Sequence, residues 1–333
     1  MHEKETPMRE ITYAQAINEA LAWNLEKDER VFLMGEDIGK YGGIFQVTAG
    51  LLDRFGPDRV IDTPISESAF VGAAVGAAMT GMRPVVEIMF IDFTTCAMDM
   101  IVNQMAKIHY MFGGRGKVPM VLRINIGAGR GAAAQHSQSF HAFFVHIPGL
   151  IVVTPSCPYD AKGLMNTAIL DENPVIFVEH KKLYATKGDA PEEYYTLPFG
   201  KADIKRAGKD VTIVATHEMV NRSLRVAEEF VRDGVDIEIV DLRTLQPLDR
   251  EAILESVKKT GKLIVADEGH VTCGVAAEIA AIIAEEAVEY LQAPVIRVGS
   301  PHTPVPFSPA LEKIFIPDED NVREAINRMK QYM

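Results

Sequence analysis

The stretch TYAQAINEALAWNLEKDERVFLMG, residues 12–35, changes period partway along. Ala16, Ile17, Ala20, Leu21 and Leu25 recur at helical spacing behind Thr12, a residue type that caps helix N-termini, which predicts a helix over 13–27. Val31, Phe32, Leu33 and Met34 then run consecutively into Gly35, the pattern of a strand covered on both faces. The same order repeats downstream. Short β-branched runs predict strands at 60–61, 84–90, 119–124, 150–153 and 174–178, with helices over 67–82, 95–109 and 158–170 between them. Such alternation implies a largely parallel sheet with helices on both faces. A polar segment over 180–200 breaks it. The alternation restarts with strands at 211–215, 235–240, 263–266 and 295–298 and helices at 219–233, 250–260 and 275–290. An extended Pro-rich run at 301–309 and a closing helix at 320–333 follow. The expected fold class is α/β: two three-layer domains with largely parallel sheets, residues 1–185 and 201–333, joined by a linker over 186–200.

A chain of 333 residues is long for one core, which agrees with two domains. Its 34 Lys and Arg stand against 46 Asp and Glu, a net charge of −12, so the basic face that nucleic acid requires is not expected. The longest weakly polar run, residues 69–82, falls short of the roughly 20 residues that span a bilayer, so no membrane partner is expected. Residues 1–10 are charged and lack the apolar core of a secretory signal, which points to a cytoplasmic address. The three cysteines, Cys96, Cys157 and Cys273, are too scattered for a disulfide framework or a CxxC site and read as reduced thiols.

Three segments are candidates for chemistry. In DTPISE, residues 62–67, Pro64 keeps Thr63 out of a helix and Ser66 is a fitting cap, so Glu67 belongs in the first helical turn. A carboxylate there also complements the helix dipole, which is the plainer explanation. The helix that follows, with Gly72, Ala73, Ala74, Gly76, Ala77 and Ala78, has little side chain on any face. Glycine inside a helix costs roughly 1 kcal/mol relative to alanine, so close packing against another element, of this chain or of another subunit, is expected. Glu67 is then carried into a poorly solvated place, where a carboxyl favours its protonated form and suits proton exchange with a ligand nitrogen. The second segment, GAGRGA at 127–132, loosely fits a dinucleotide fingerprint. Val152 stands about where a ribose-binding acid is needed, and a mobile loop is the better reading. That loop delivers His136, flanked by Ser137 and Gln138. His136, His141 and His146 lie five apart, off any common helix face, so a zinc site is not expected. The third segment, DENP at 171–174, is an ordinary turn, although helix-end carbonyls at Ala168 and Ile169 beside Asp171 offer oxygens to a monovalent cation.

With GEDIG (35–39), DTPISE (62–67), GMRPVVE (81–87), AAQHSQ (133–138) and DLRTLQPLD (241–249) in this order, the chain resembles, nearly end to end, the β subunit of the E1 component of 2-oxo acid and acetoin dehydrogenase complexes. The resemblance implies a transketolase-like pyrimidine-binding domain followed by a transketolase C-terminal-like domain. It implies thiamine diphosphate as cofactor, shared with an E1 α subunit in an α2β2 heterotetramer, with Mg²⁺ held mainly by the α chain. Glu67 would then hydrogen-bond the pyrimidine ring nitrogen, Ile65 and Phe93 would neighbour the ring, and His136 would handle protons as the acyl group passes to the lipoyl arm of E2. Met120, Ala168, Ile169, Asp171 and Asn173 match a potassium site of the family. The expected substrate is acetoin or a 2-oxo acid, pyruvate or branched-chain. The segments 89–114 and 301–309 lean toward the acetoin branch. A nicotinamide-dependent oxidoreductase using the loop 127–132 and a non-catalytic assembly subunit are the competing readings.

Overall fold

The computed structural model describes residues 7–333, so residues 1–6 of the segment read for a signal lie outside it. The chain divides into two compact units, one built from Met1–Asn125 with Phe144–Phe199, the other from Ile126–Phe143 with Gly200–Met333. Among the described residues, no helix is long and apolar enough to cross a membrane.

The first unit opens with strand β1 (Met8–Thr12) and helix α1 (Tyr13–Lys27), whose start is fixed by a reciprocal cap between Thr12 and Gln15. Strand β2 (Val31–Gly35), helix α2 (Leu51–Phe55), strand β3 (Val60–Asp62), helix α3 (Glu67–Met79) and strand β4 (Arg83–Ile88) follow. The long helix expected over 95–109 is broken instead into a 3₁₀ segment, Ile91–Ala97, a π-helical turn, Met100–Met105, and the short α4 (Ile108–Met111). Next come β5 (Val121–Ile126), α5 (Ala142–Val145), β6 (Ile151–Val153), α6 (Pro158–Leu170), β7 (Val175–His180) and β8 (Lys187–Pro191). Strand order in this unit is β6-β7-β5-β4-β2-β3, with β2 parallel to β3 and β4, β4 parallel to β5, and β6 parallel to β7. Residues expected as an irregular linker contain β8, which pairs antiparallel with β1 from Met8 opposite Pro191 to Thr12 opposite Lys187. Neither short strand has the apolar run that announces a buried one. Beneath them α1 and α6 share a core of Ile17, Leu21, Leu25, Leu164 and Met165.

In the second unit the elements are β9 (Asp203–Arg206), β10 (Val211–Ala215), α7 (His217–Phe230), β11 (Ile237–Asp241), β12 (Thr244–Gln246), α8 (Arg250–Thr260), β13 (Leu263–His270), α9 (Val275–Glu286), β14 (Ile296–Ser300), α10 (Pro309–Phe315) and α11 (Glu319–Met329). The sheet order β14-β13-β10-β11-β9 is parallel except for β9 at the edge. Part of the run expected to be extended thus leads directly into α10, with Pro309 in its first turn, where a missing N–H is harmless.

The chain leaves β2 for β3 on one side and returns to β4 on the other. In an open parallel sheet the crevice beyond the strand ends at such a reversal is where ligands bind. Gly35, at the exit of β2, is required there, because a Cβ on it would lie 2.7 Å from the carbonyl oxygen of Glu87 on β4.

Candidate functional site

Three strand exits meet at the reversal. Glu36 follows β2, Glu67 opens α3 after β3, and Phe90 and Phe93 follow β4. The Thr63 amide donates to the Gly35 carbonyl at 2.9 Å, holding the two loops side by side. Asp62 locks them further: its carboxylate accepts from the amides of Gly39 (2.6 Å) and Lys40 (3.1 Å). The GEDIG turn is thereby pinned to the DTPISE segment, and Asp37 within it is held at φ +55°.

Glu67 is the first helical residue and is buried, as expected, but the Ser66 side chain makes no capping bond. Glu36, to which the sequence reading gave no role, is buried too, and its Oε1 has no hydrogen-bond partner. Burial, then the negative charges of Glu67 and Asp37, push its carboxyl up to about 7. Two buried carboxyls therefore face a common electrostatic problem, which one proton or a ligand with donor and acceptor nitrogens relieves.

This raised value makes a stability prediction. The folded chain binds the Glu36 proton more tightly than the unfolded chain, where the group titrates near its ordinary 4.5, so its stabilising contribution is full below about 4.5 and is lost as pH rises toward 7. Glu36→Gln should therefore raise the melting temperature at pH 8 and leave it unchanged near pH 4.5. A gain equal at both pH values would contradict the assignment.

Phe93 is half-buried and meets Phe90 edge-on at 5.7 Å; Phe90 meets Phe45 at 6.2 Å, and Phe45 stacks on Tyr184 at 4.6 Å. The Tyr184 hydroxyl donates to Glu179 at 2.7 Å. Glu179 takes a two-pronged contact from Arg123, Nε at 2.7 Å and Nη2 at 2.9 Å, while Nη1 reaches Glu87 at 2.5 Å. Phe93 thus stands at the end of an aromatic row founded on a buried ion triad. Ile65 is 84% exposed, an apolar side chain left open to solvent at the same strand ends.

The expected potassium residues lie together, but the oxygens of Met120, Ile169 and Asp171 are engaged. Arg83 Nη1 donates to the carbonyls of Ile169 (2.9 Å) and Asp171 (3.0 Å). The Asp171 carboxylate turns onto the Asn173 backbone amide (2.8 Å) and side-chain amide (2.9 Å), and the Met120 carbonyl accepts from the Val175 amide at 2.9 Å. Ala168 is buried beside Ile169 at the end of α6. A guanidinium already supplies positive charge at this place. Among the described residues, no group of three or more His, Cys, Asp or Glu is placed to hold a metal ion.

His136 lies on the loop between β5 and α5, in the segment 126–143 of the second unit, and is half-buried. Glycines at 127, 129 and 131 take φ of +106°, +101° and +65°, an alternation that turns backbone amides toward one side. Those amides are occupied. Ala128 donates to Glu268 (2.8 Å), and Gly129 (2.7 Å) and Gly131 (3.1 Å) donate to Glu312. The loop expected to be mobile is therefore anchored. A dinucleotide pyrophosphate finds its donors taken by two carboxylates of its own sign, which removes the physical basis for a nicotinamide site here.

On the helix α3, Ala69, Ala73 and Gly76 form an exposed stripe, and a Cβ on Gly76 would meet nothing within 4 Å. Gly72 has a different reason: a Cβ there would lie 3.0 Å from the Met100 sulfur, a close approach inside this chain.

Comparison with known proteins gives the family. Residues 9–187 match the family model described as transketolase, pyrimidine binding domain, and residues 200–322 match transketolase, C-terminal domain. The acetoin:2,6-dichlorophenolindophenol oxidoreductase subunit beta of Bacillus subtilis (strain 168) is 48% identical over 326 residues, covering 94% of this chain and 95% of its own. The pyruvate dehydrogenase E1 component subunit beta of Rickettsia felis is 47% identical, covering 97% and 99%, and the 2-oxoisovalerate dehydrogenase subunit beta of Bacillus subtilis is 44% identical, covering 98% and 100%. Among solved structures, the inactive beta4 tetramer of a split-gene transketolase superposes with a TM-score of 0.77 over 96% of this chain and 99% of that one, at 23% identity, a likeness of fold.

Proposed function

Because the chain belongs to the transketolase-like family of E1 β subunits of acetoin, pyruvate and branched-chain 2-oxo acid dehydrogenases, we propose that it carries the aminopyrimidine half of a thiamine diphosphate site and works with an E1 α subunit on acetoin. The observation that carries this reading is the buried pair Glu36 and Glu67, with Glu36 Oε1 unpartnered. That donor set fits a ring with one accepting nitrogen and one amino group. When bound, thiamine diphosphate supplies a nucleophilic carbon and a sink for the electrons released when a carbon–carbon bond breaks.

The chain's own residues do the rest. Glu67 holds and exchanges a proton at the ring nitrogen. Glu36, its carboxyl pushed up to about 7, shares a proton near neutral pH and so spares the buried pair from carrying two full charges. Phe93, set by its aromatic row, and Ile65 flank the ring and exclude solvent. With the cofactor bound, acetoin cleavage would release acetaldehyde and leave a two-carbon fragment at the aldehyde level. The lipoyl disulfide of an E2 subunit then takes two electrons from that fragment; one sulfur receives the acetyl group and the other a proton, which His136 is suited to deliver.

Partners follow from the same reading. The stripe Ala69, Ala73 and Gly76 suits close approach of a second chain in an α2β2 heterotetramer, with Mg²⁺ held mainly by the α subunit. The three free cysteines agree with a reducing, cytoplasmic address. Potassium at Met120, Ala168, Ile169, Asp171 and Asn173 has to share the Ile169 and Asp171 carbonyls with Arg83, so its role is to brace the end of α6, outside the chemistry. Melting should then rise in KCl over NaCl at equal ionic strength, and equal melting would remove the ion from the proposal.

Reconstituting the chain with its α subunit and assaying acetoin, pyruvate and branched-chain 2-oxo acids with a dye as electron acceptor tests the function. The fastest turnover is expected with acetoin; no turnover with any of them overturns the proposal.

A further inference from the structure

The loop that bears His136 is held at both ends by groups with no part in the proposed chemistry. Upstream, Glu268 and the buried Glu312 bind the amides of Ala128, Gly129 and Gly131. Downstream, His141 is fully buried, and its Nε2 lies 3.0 Å from Asp267 Oδ1. The same oxygen accepts from the Thr216 hydroxyl at 2.5 Å, and Oδ2 accepts from the Gly269 amide at 3.0 Å. Burial raises the Asp267 carboxyl, but the His141 imidazole, with its hydrogen bond and that of Thr216, outweighs it and holds Asp267 well below the usual carboxylate range. An ionised Asp267 accepts only, so His141 Nε2 is the donor, which fixes the ring's orientation. The ring of His217 packs against His141 edge-on at 5.7 Å.

We propose that His141, gripped by Asp267 at one end of the loop while Glu312 grips the other, is a positioning residue that sets His136 for acyl transfer to the lipoyl group. This rests on the role of His136 given above. Cutting one grip removes one of the contacts that order the segment between Gly131 and His141, so His136 samples more positions in which its proton misses the departing sulfur. A small displacement of a proton-transfer group is costly, whereas carbon–carbon cleavage in the other unit's carboxyl pair is untouched.

The test compares two rates of the assembled α–β enzyme on one substrate: acyl transfer to lipoamide, and reduction of 2,6-dichlorophenolindophenol, which needs no lipoyl sulfur. His141→Ala should lower the lipoamide rate about tenfold and leave the dye rate within about twofold. His141→Gln, which keeps a donor for Asp267, should recover most of the loss, and Glu312→Gln should reproduce it in part. If His141→Ala does not assemble, His141→Phe, which keeps volume without the hydrogen bond, gives the same comparison. Equal losses in both rates, or none, overturn the proposal. His136→Ala separates the failures: should it spare lipoamide transfer, the role of His136 falls and the latch with it; should it abolish transfer while the His141 variants do not, the latch alone falls.

Discussion

Glu67→Gln is expected to cut dye-linked turnover of the reconstituted enzyme by about 100-fold or more while the α–β assembly keeps its size. Gln matches Glu in volume, keeps its place in the first turn of α3 and still hydrogen-bonds a ring nitrogen. What it lacks is an exchangeable carboxyl proton, and a positioned acid or base contributes roughly 10² to 10⁴ in rate. Steady-state kinetics together with light scattering reads both halves of the expectation. Turnover within a few-fold of the parent would favour the assembly-subunit reading instead, since such a subunit needs Glu67 only at a helix end.

Arg123→Leu should produce the largest loss of stability. Arg123 is 2% exposed on β5 and holds Glu179 and Glu87, from β7 and β4. Burial alone works against its charge, and the two carboxylates more than restore it. Removing the cation leaves the buried Glu179 carboxyl beside the half-buried Glu87, and breaking a buried pair in this way costs about 3–5 kcal/mol. The denaturant midpoint measures it, and a loss below about 1 kcal/mol would mean that water already reaches the triad. Because Tyr184 leans on Glu179 and the aromatic row leans on Tyr184, thiamine diphosphate affinity should fall as well.

Wherever a signal was local, the sequence carried it. Helix α1 has both its cap and its stripe written in Thr12, Ala16, Ile17 and Leu21, and Glu67 announced itself through Pro64 and the small-residue helix behind it. Long-range signals were silent. Nothing near Glu36 says that β3 returns beside β2, yet that adjacency buries it against Glu67 and changes its chemistry. The glycines of 127–131 foretold positive φ but not the carboxylates their amides would meet, because Glu268 and Glu312 lie far along the chain. Periodicity likewise overran at 95–109, where a π-type turn and a 3₁₀ segment replace a continuous helix without altering which residues are apolar. Asp62 was legible as part of a motif, but its work as a fastener for Gly39 and Lys40 needs three dimensions to be seen.

The ribbon of β1 and β8 has a bearing on how the protein is made. Met8–Thr12 are synthesised well before Lys187–Pro191, the strand they pair with among the described residues. Until β8 follows, β1 waits without it, and exposed strand edges on nascent chains invite aggregation. Its sequence answers that hazard: Arg9 and Glu10 place opposite charges within five residues, so the waiting strand carries its own deterrent to premature pairing.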